Sequence, residues 1–392
     1  MHPPGADAVL VRHGDLNVKS TRVKRRMEHR LLDHVESLLA ADGIAAEVDR
    51  HWSRPIVRGV GGEAAQAAET TARAFGVVST SPAVTVPSDR GAVEDALAAA
   101  GRAVYTDGTF AVSVNRADKT LPYTSEDLER SGGQAIWEAV EDEFDPVVDL
   151  DDPDVVFEAD LREDEAFVFC DRYDGPGGLP HGTQEPLVAL VSGGIDSPVA
   201  AYEAMRRGSP VVPVYVELGE YGGADHEARA VETVRTLSAR VPDESFDLWR
   251  VPAGDVVADL VDTMETGRML AFRRFLLMVG EAVAEETGAV GVLTGEALGQ
   301  KSSQTAQNMA VTSQAIDLPV HRPLFSWDKH DIVSQARAID TFVDSTVPAG
   351  CNRVVPDQPE THGSAETIAR EEPDDLRERA RTAVERAGRL SF

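Results

Sequence analysis

The sequence predicts a multidomain protein, α+β in its N-terminal part and α/β in its C-terminal part. Three observations carry this. Apolar stretches through residues 8–80 fall in the order strand, helix, strand, strand, helix, strand, the βαββαβ plan of a ferredoxin-like domain. A turn-rich stretch without apolar periodicity, Gly175–Pro186 (GPGGLPHGTQEP), interrupts the chain and marks a boundary. Beyond it, short apolar strands alternate with longer helices, which implies a doubly wound parallel sheet. At 392 residues the chain is also too long for one ordinary core.

The first segment, residues 1–80, opens with a strand at Ala8–Arg12. A helix at Thr21–Ala41 follows, because Met27, Leu31, Leu32, Val35, Leu38 and Leu39 recur on one face of a 3.6-residue period. Strands at Glu47–His51 and Ile56–Arg58, a helix at Glu63–Ala74 and a strand at Val77–Thr80 complete it. Residues 81–173 read as a helix near Asp89–Ala100, a strand at Thr109–Arg116 and a helix opened by Ser125, with Glu126 and Asp127 in its first turn. Short strands follow around Val147–Asp149, Val155–Leu161 and Ala166–Phe169. After a linker at 174–186, residues 187–392 form the last domain. Its strands are expected at Leu187–Val191, Val211–Val216, Leu248–Val251 and Val290–Leu293, and its helices at Pro198–Arg207, His226–Ala239 and Arg273–Glu286. The polar tail after Asp357 is expected to carry a surface helix at Asp374–Gly388.

Composition narrows the function classes. Apolar residues make up 42% and charged residues 27%, the balance of a globular chain. No run approaches eighteen apolar residues and the start, MHPPGADAVL, lacks the plan of a signal peptide, so a cytoplasmic protein with no membrane partner is expected. Cys170 and Cys351 are too far apart for a CxxC site, and the ten histidines show no zinc spacing. Acids outnumber bases 67 to 38, and five of the bases are lysines. Lysine scarcity with carboxylate excess, spread rather than blocked, points to a high-salt cytosol where screening relieves self-repulsion. Residues 1–60 run against that trend, with ten bases to eight acids. Most of these bases cluster at the start of the first helix, where cations oppose the macrodipole. A phosphate-bearing partner explains them better than local stability does.

The chemistry is concentrated in Leu187–Ala200, LVALVSGGIDSPVA. A buried strand runs into Ser192-Gly193-Gly194-Ile195-Asp196-Ser197, and Pro198 suits the first turn of a helix. Two glycines let backbone N–H groups converge on an anion, and the helix N-terminus adds its dipole. The stretch is neither a GxxxxGK[ST] loop nor a GxGxxG fingerprint. It matches SGGxDS, the PP-loop of enzymes that split ATP between the α and β phosphates.

With the motif in place, the whole chain resembles the tRNA 4-thiouridine synthases, or tRNA sulfurtransferases, in their short archaeal form. His13–Arg22 is similar to the family's G-E-[IL]-x-x-K-G-x-N-R stretch, with Ser20 and Thr21 as departures. Asn115–Ser125 and Val148–Asp154 resemble its RNA-binding THUMP domain, which assigns residues 81–173. Gly175–Pro180 matches the family linker. Thr294–Gln304 (TGEALGQKSSQ) and Arg322–Lys329 (RPLFSWDK) resemble two further family segments.

The resemblance implies that ATP adenylates O4 of uridine 8 in tRNA and that a sulfur nucleophile then displaces AMP, with sulfur supply for thiamine thiazole synthesis as an additional role. Carried over by position, the ATP contacts are Leu190, Val191, Ser192, Gly193, Gly194, Asp196, Ser197, Tyr215, Val216, Arg273, Gly295 and Gln304. Asp196 is the expected catalytic carboxylate, a place for Mg²⁺ on pyrophosphate oxygens, and Cys351 the sulfur-handling thiol. Cys170, in an apolar strand, reads as core packing. Lys19, Arg22, Lys24, Arg25, Arg26, Arg116 and Lys119 are the expected RNA contacts. The expected partners are tRNA and a sulfur donor, either a cysteine desulfurase persulfide or sulfide, and a homodimer is compatible. Some archaeal relatives hold an iron–sulfur cluster on three cysteines, which two cysteines do not support. About 40 residues after Cys351 leave no room for the rhodanese domain of bacterial relatives. The competing readings are an amidating or ligating PP-loop enzyme and a non-catalytic tRNA-binding protein. The linker and the THUMP-like segments disfavour the first, and the intact SGGIDS disfavours the second.

Overall fold

Residues 8–13 alternate between two cores, as side chains in a strand must: Val9 and Val11 face the helices, while Ala8 and Leu10 join Ile56, Ala83, Phe167 and Phe169. The computed structural model describes the whole chain apart from residues 1, 15–19, 51–54, 117–120, 223, 344–353 and 357. Two units emerge, Met1–Pro180 and His181–Phe392.

In the first unit the order is β1 (Ala8–His13), α1 (Thr21–Ala41), β2 (Glu47–Asp49), β3 (Ile56–Arg58), α2 (Ala64–Ala72), β4 (Val77–Pro87), α3 (Arg90–Val104), β5 (Thr109–Arg116), α4 (Ser125–Val140), β6 (Val147–Val148), β7 (Val155–Leu161), β8 (Glu165–Phe169) and β9 (Tyr173–Asp174). Among the described residues these strands form one nine-stranded sheet, β2-β3-β1-β4-β8-β7-β5-β6, with β9 on β4. Its first part is the ferredoxin-like βαββαβ unit.

β4 is longer than the sequence suggests. Val77–Ala83 pair antiparallel with β1, and Val84–Pro87 pair antiparallel with β8. The expected boundary between residues 80 and 81 therefore falls inside a continuous strand. Pro82 hid the continuation, because a proline within a run reads as a strand end; here it sits opposite Val9. The α4 helix opens at Ser125 as expected, with Glu126 and Asp127 in its first turn and Thr124 as its cap. Thr124 Oγ1 accepts from the Asp127 N–H at 3.1 Å, and the Asp127 carboxylate accepts the Thr124 N–H at 3.0 Å, a capping box.

The first half of the linker belongs to this unit. Gly175 N–H donates to Val78 O at 2.8 Å and Gly177 N–H to Val77 O at 2.7 Å. A Cβ on Gly175 would lie 2.4 Å from Val77 O, so only glycine allows the approach.

The second unit runs β10 (Leu187–Val191), α5 (Asp196–Arg206), β11 (Val211–Glu217), α6 (Ala224–Ser238), β12 (Asp247–Pro252), α7 (Gly254–Thr263), α8 (Arg268–Thr287), β13 (Val292–Leu293), α9 (Ala306–Ser313), β14 (Val320–His321), α10 (Lys329–Ala338), α11 (Ala365–Glu371), α12 (Leu376–Glu385) and β15 (Gly388–Ser391). Its sheet order is β14-β13-β10-β11-β12-β15, parallel except for the antiparallel edge strand β15. The chain steps from β10 to β11 and β12, then returns to the other side of β10 as β13. That reversal makes the carboxyl ends of β10 and β13 a topological switch point, where such sheets open a ligand crevice.

The tail corrects the surface-helix expectation. Leu376, Ala380, Ala383 and Val384 of α12 are buried in the same core as α8, and β15 closes the sheet edge. The apolar stripe is short and alanine-rich, and the charged residues around it give the sequence the look of a surface helix. No described helix is long and apolar enough to cross a membrane.

Gly175→Val is expected to lower the stability of the first unit by about 1–3 kcal/mol, the usual cost of overpacking, measured by denaturant unfolding at fixed salt. An unchanged midpoint would remove the linker from the fold of this unit.

Candidate functional site

The turn from β10 into α5 is held by its own serines. Ser192 N–H donates to Ser197 Oγ at 2.9 Å, the two hydroxyl oxygens lie 3.2 Å apart, and Gly194 N–H donates to Ser192 Oγ at 3.3 Å. The Ser197 hydroxyl therefore braces the loop. Gly193 packs where a Cβ would come within 2.9 Å of His226 O. Asp196 is the first helical residue and not the cap. Its carboxylate accepts from Lys329 Nζ at 2.5 Å.

The return strand β13 brings a second glycine against this turn. A Cβ on Gly295 would meet Asp196 C and Ser197 N, each at 2.7 Å. Backbone cannot give way as a side chain can, so the close approach requires glycine.

These strand ends enclose a cavity of about 250 Å³. Of the sequence-predicted ATP contacts, Leu190, Val191, Ser192, Gly194, Asp196, Ser197, Tyr215, Val216, Arg273, Gly295 and Gln304 line it. Gly193 does not, and lies behind the loop against α6. The wall also holds His226, which the sequence did not single out, and Glu296 and Lys301, which lie in the Thr294–Gln304 segment but are not among the expected contacts. Tyr215 OH lies 3.2 Å from His226 Nδ1, and burial together with Arg229 pushes the imidazole pKa down, favouring the neutral ring. Nothing in the sequence around His226 marks it. Lys301 and Lys329 had a legible signal: they are the two lysines of residues 181–392.

Arg273 and Arg274 have opposite fates, as neighbours 100° apart on a helix do. Arg274 is buried in a two-pronged pair with Glu372, both bonds 2.8 Å, and also donates to Val311 O at 3.1 Å. Arg273 faces the cavity and donates to Glu296. Glu296 also accepts from Arg322 Nε at 2.8 Å and from Thr294 Oγ1 at 3.1 Å.

The expected RNA contacts separate by environment. Arg22, Arg25 and Arg26 are exposed and Lys24 half-buried in the first turns of α1, where no acid sits in the first turn. Lys24 has Glu28 at 3.7 Å. Other bases of residues 1–60 are engaged within the unit: Arg50 on Asp33 and Glu36, Arg58 on Glu165, and Arg12 over the Phe169 ring. Arg116, at the end of β5, is half-buried and donates to the Tyr123 carbonyl. Lys19, Lys119 and Cys351 lie outside the described residues. Cys170 packs beside the core of the α3–α4 half, and burial pushes its thiol up to about 12. Such a thiol suits neither sulfur transfer nor cluster ligation.

Three family comparisons cover most of the chain. The family described as Thiamine biosynthesis protein (ThiI) matches residues 182–375, the THUMP domain residues 92–171 and the ThiI ferredoxin-like domain residues 8–81. A protein of Halobacterium salinarum named "Probable tRNA sulfurtransferase" is 54% identical over 99% of this chain and 98% of its own length. One of the same name from Methanosarcina acetivorans is 35% identical over 93% of this chain and 89% of its length. Among solved structures, a 4-thiouridine synthetase–RNA complex with bound ATP matches with a TM-score of 0.84 and 26% identity, covering 99% of this chain and all of that one.

Gly295→Ala is expected to displace the start of α5 and to weaken ATP binding at least tenfold with the second unit still folded. Titration with ATP and far-UV circular dichroism check it; wild-type affinity would mean the turn tolerates the methyl group.

Proposed function

The chain belongs to the tRNA sulfurtransferase family, and on that premise we propose that it carries out ATP-dependent sulfur transfer to tRNA, adenylating O4 of uridine 8 and replacing it with sulfur to give 4-thiouridine. The observation that carries the reading is the Ser192–Ser197 turn at the switch point of the sheet, facing one cavity with Arg273, Gly295 and Gln304.

In this reading O4 attacks the α-phosphorus of ATP, the bond to the β-phosphate oxygen breaks, and pyrophosphate leaves. A sulfur nucleophile then attacks C4, and the C4–O4 bond breaks with AMP as the leaving group. The protein's tasks are positioning and charge stabilisation. The Gly194 turn and the α5 N-terminus offer backbone N–H groups and a positive dipole end to the phosphates. Lys329 places a compact ammonium beside Asp196, and Arg273 brings a guanidinium from α8 to the same cavity. Tyr215 and Val216, at the end of β11, supply the apolar wall for the nucleoside.

Mg²⁺ fits this cleft. Asp196 is a partly exposed carboxylate with one oxygen on Lys329, and one or two carboxylates plus substrate phosphates are how Mg²⁺ is usually held. Asp196 would hold it, and the ion would neutralise charge on the departing pyrophosphate. A protein-held iron–sulfur cluster does not fit the donor set, given two cysteines and the raised pKa of Cys170.

The first unit is the RNA-binding part in this proposal, with the exposed cations of α1 as phosphate contacts. Sulfur arrives either as sulfide, which displaces AMP directly, or as a persulfide on Cys351, whose outer sulfur bonds C4 and whose S–S bond an external thiol reductant then cleaves to leave sulfur on the base; both routes rest on the sequence.

Asp196→Ala is expected to abolish tRNA-dependent pyrophosphate release while leaving tRNA affinity nearly intact; release at the wild-type rate removes the assignment. Lys24→Glu with Arg25→Glu should weaken tRNA binding and reduce the salt slope of log K by roughly 0.7–0.9 for every phosphate no longer neutralised. Equal affinity in filter binding across salt would reject α1 as an RNA-facing surface. Cys351→Ser should keep activation and lose 4-thiouridine, read by mass spectrometry of bulk tRNA. Full 4-thiouridine in cells carrying only that variant would rule out a persulfide route through Cys351.

A further inference from the structure

Glu296 is a buried acid that the phosphate-binding turn does not explain. It directly follows Gly295 and is 7% exposed. Burial alone would push its carboxyl up, but Arg273 and Arg322 outweigh that and hold it below the usual carboxylate range. Its oxygens are already shared among Arg273, Arg322 and Thr294. It is therefore poorly placed to take a metal ion or to give up a proton near neutral pH.

Stability is a weak reason for such a group, because a buried ion pair is often no better than an apolar residue of similar volume. What the carboxylate does is hold two like-charged guanidiniums side by side, one from α8 and one just after β14. Arg273 lines the ATP cavity and its Nε is buried without a hydrogen-bond partner among the described residues, so its donor set is not exhausted by Glu296. Arg322 anchors the carboxylate from the other side.

We propose that Glu296 is a positioning residue for adenylation: it fixes the Arg273 guanidinium in the orientation that meets the phosphates of ATP, with Arg322 as the second anchor. The proposal rests on reading the cavity as the ATP site. Its signature follows from two opposed effects. Removing the carboxylate makes the cluster more cationic, which favours binding of a polyanion. It also frees Arg273 to move, and misplacement by about 1 Å costs on the order of a hundredfold in rate. Binding and rate should therefore separate.

The test is tRNA-dependent pyrophosphate release by the full chain, with kcat and KM for ATP measured in high salt for wild type, Glu296→Gln, Glu296→Asp, Arg273→Lys and the Glu296→Gln/Arg273→Lys double variant. Glu296→Gln is expected to lower kcat at least tenfold with KM for ATP unchanged or lower. Glu296→Asp, which keeps the charge on a shorter arm, should recover part of that loss. In the double variant the Glu296→Gln effect should largely vanish, since it acts through Arg273. Thermal unfolding of each variant separates loss of fold from loss of rate, and Glu296→Asp carries the same comparison if Glu296→Gln does not fold. Wild-type kcat in both Glu296 variants, a full repeat of the drop on the Arg273→Lys background, or a raised KM with unchanged kcat each overturn the proposal while leaving the ATP site standing. A wild-type chain that does not bind ATP overturns both.

Discussion

The chemistry of the second unit hangs on one close approach of backbone to backbone. Gly295, just past β13, lies against the first residues of α5, at distances that any side chain would violate. That approach joins the two strand ends where the winding of the sheet reverses. The same β13 exit positions Glu296 one residue later, and the same α5 start positions Asp196 and Ser197. Without it, the serine-braced turn and the Arg273–Glu296 pair would still exist as local structures, but they would not line one cavity.

Much of this was legible in sequence because it is local. The SGGIDS turn declares itself by adjacent glycines between an apolar run and a helix, and the Met27–Leu39 stripe fixes α1 by period alone. Pieces that depend on distant partners were not legible. Pro82 reads as a stop, and only pairing with β1 on one side and β8 on the other shows it inside a strand. The α12 stripe reads as surface until α8 covers it. Arg273 and Arg274 are indistinguishable as letters; Glu296 on one side and Glu372 on the other give them different work.

The basic residues follow a division of labour that fits the acidic, lysine-poor composition. Arginine serves as the structural cation, held in fixed geometry by carboxylates and carbonyls, as at Arg274 and Arg322. Its planar fork suits that use, whereas lysine is a compact, mobile point charge. In residues 181–392 lysine occurs at two positions: Lys301 lines the cavity at the switch point, and Lys329 pairs with Asp196 of the same cavity.

The uninterrupted β4 has a consequence for inheritance. Two sequence families meet in the first unit, matching residues 8–81 and 92–171, yet one strand, Val77–Pro87, runs across the end of the first match with hydrogen-bonded neighbours in both stretches. A gene cut there would leave each half with a broken ladder and an open sheet edge, the condition that invites aggregation. A chimera that swaps one half for a foreign counterpart would therefore have to carry all of Val77–Pro87, the strand that belongs to both.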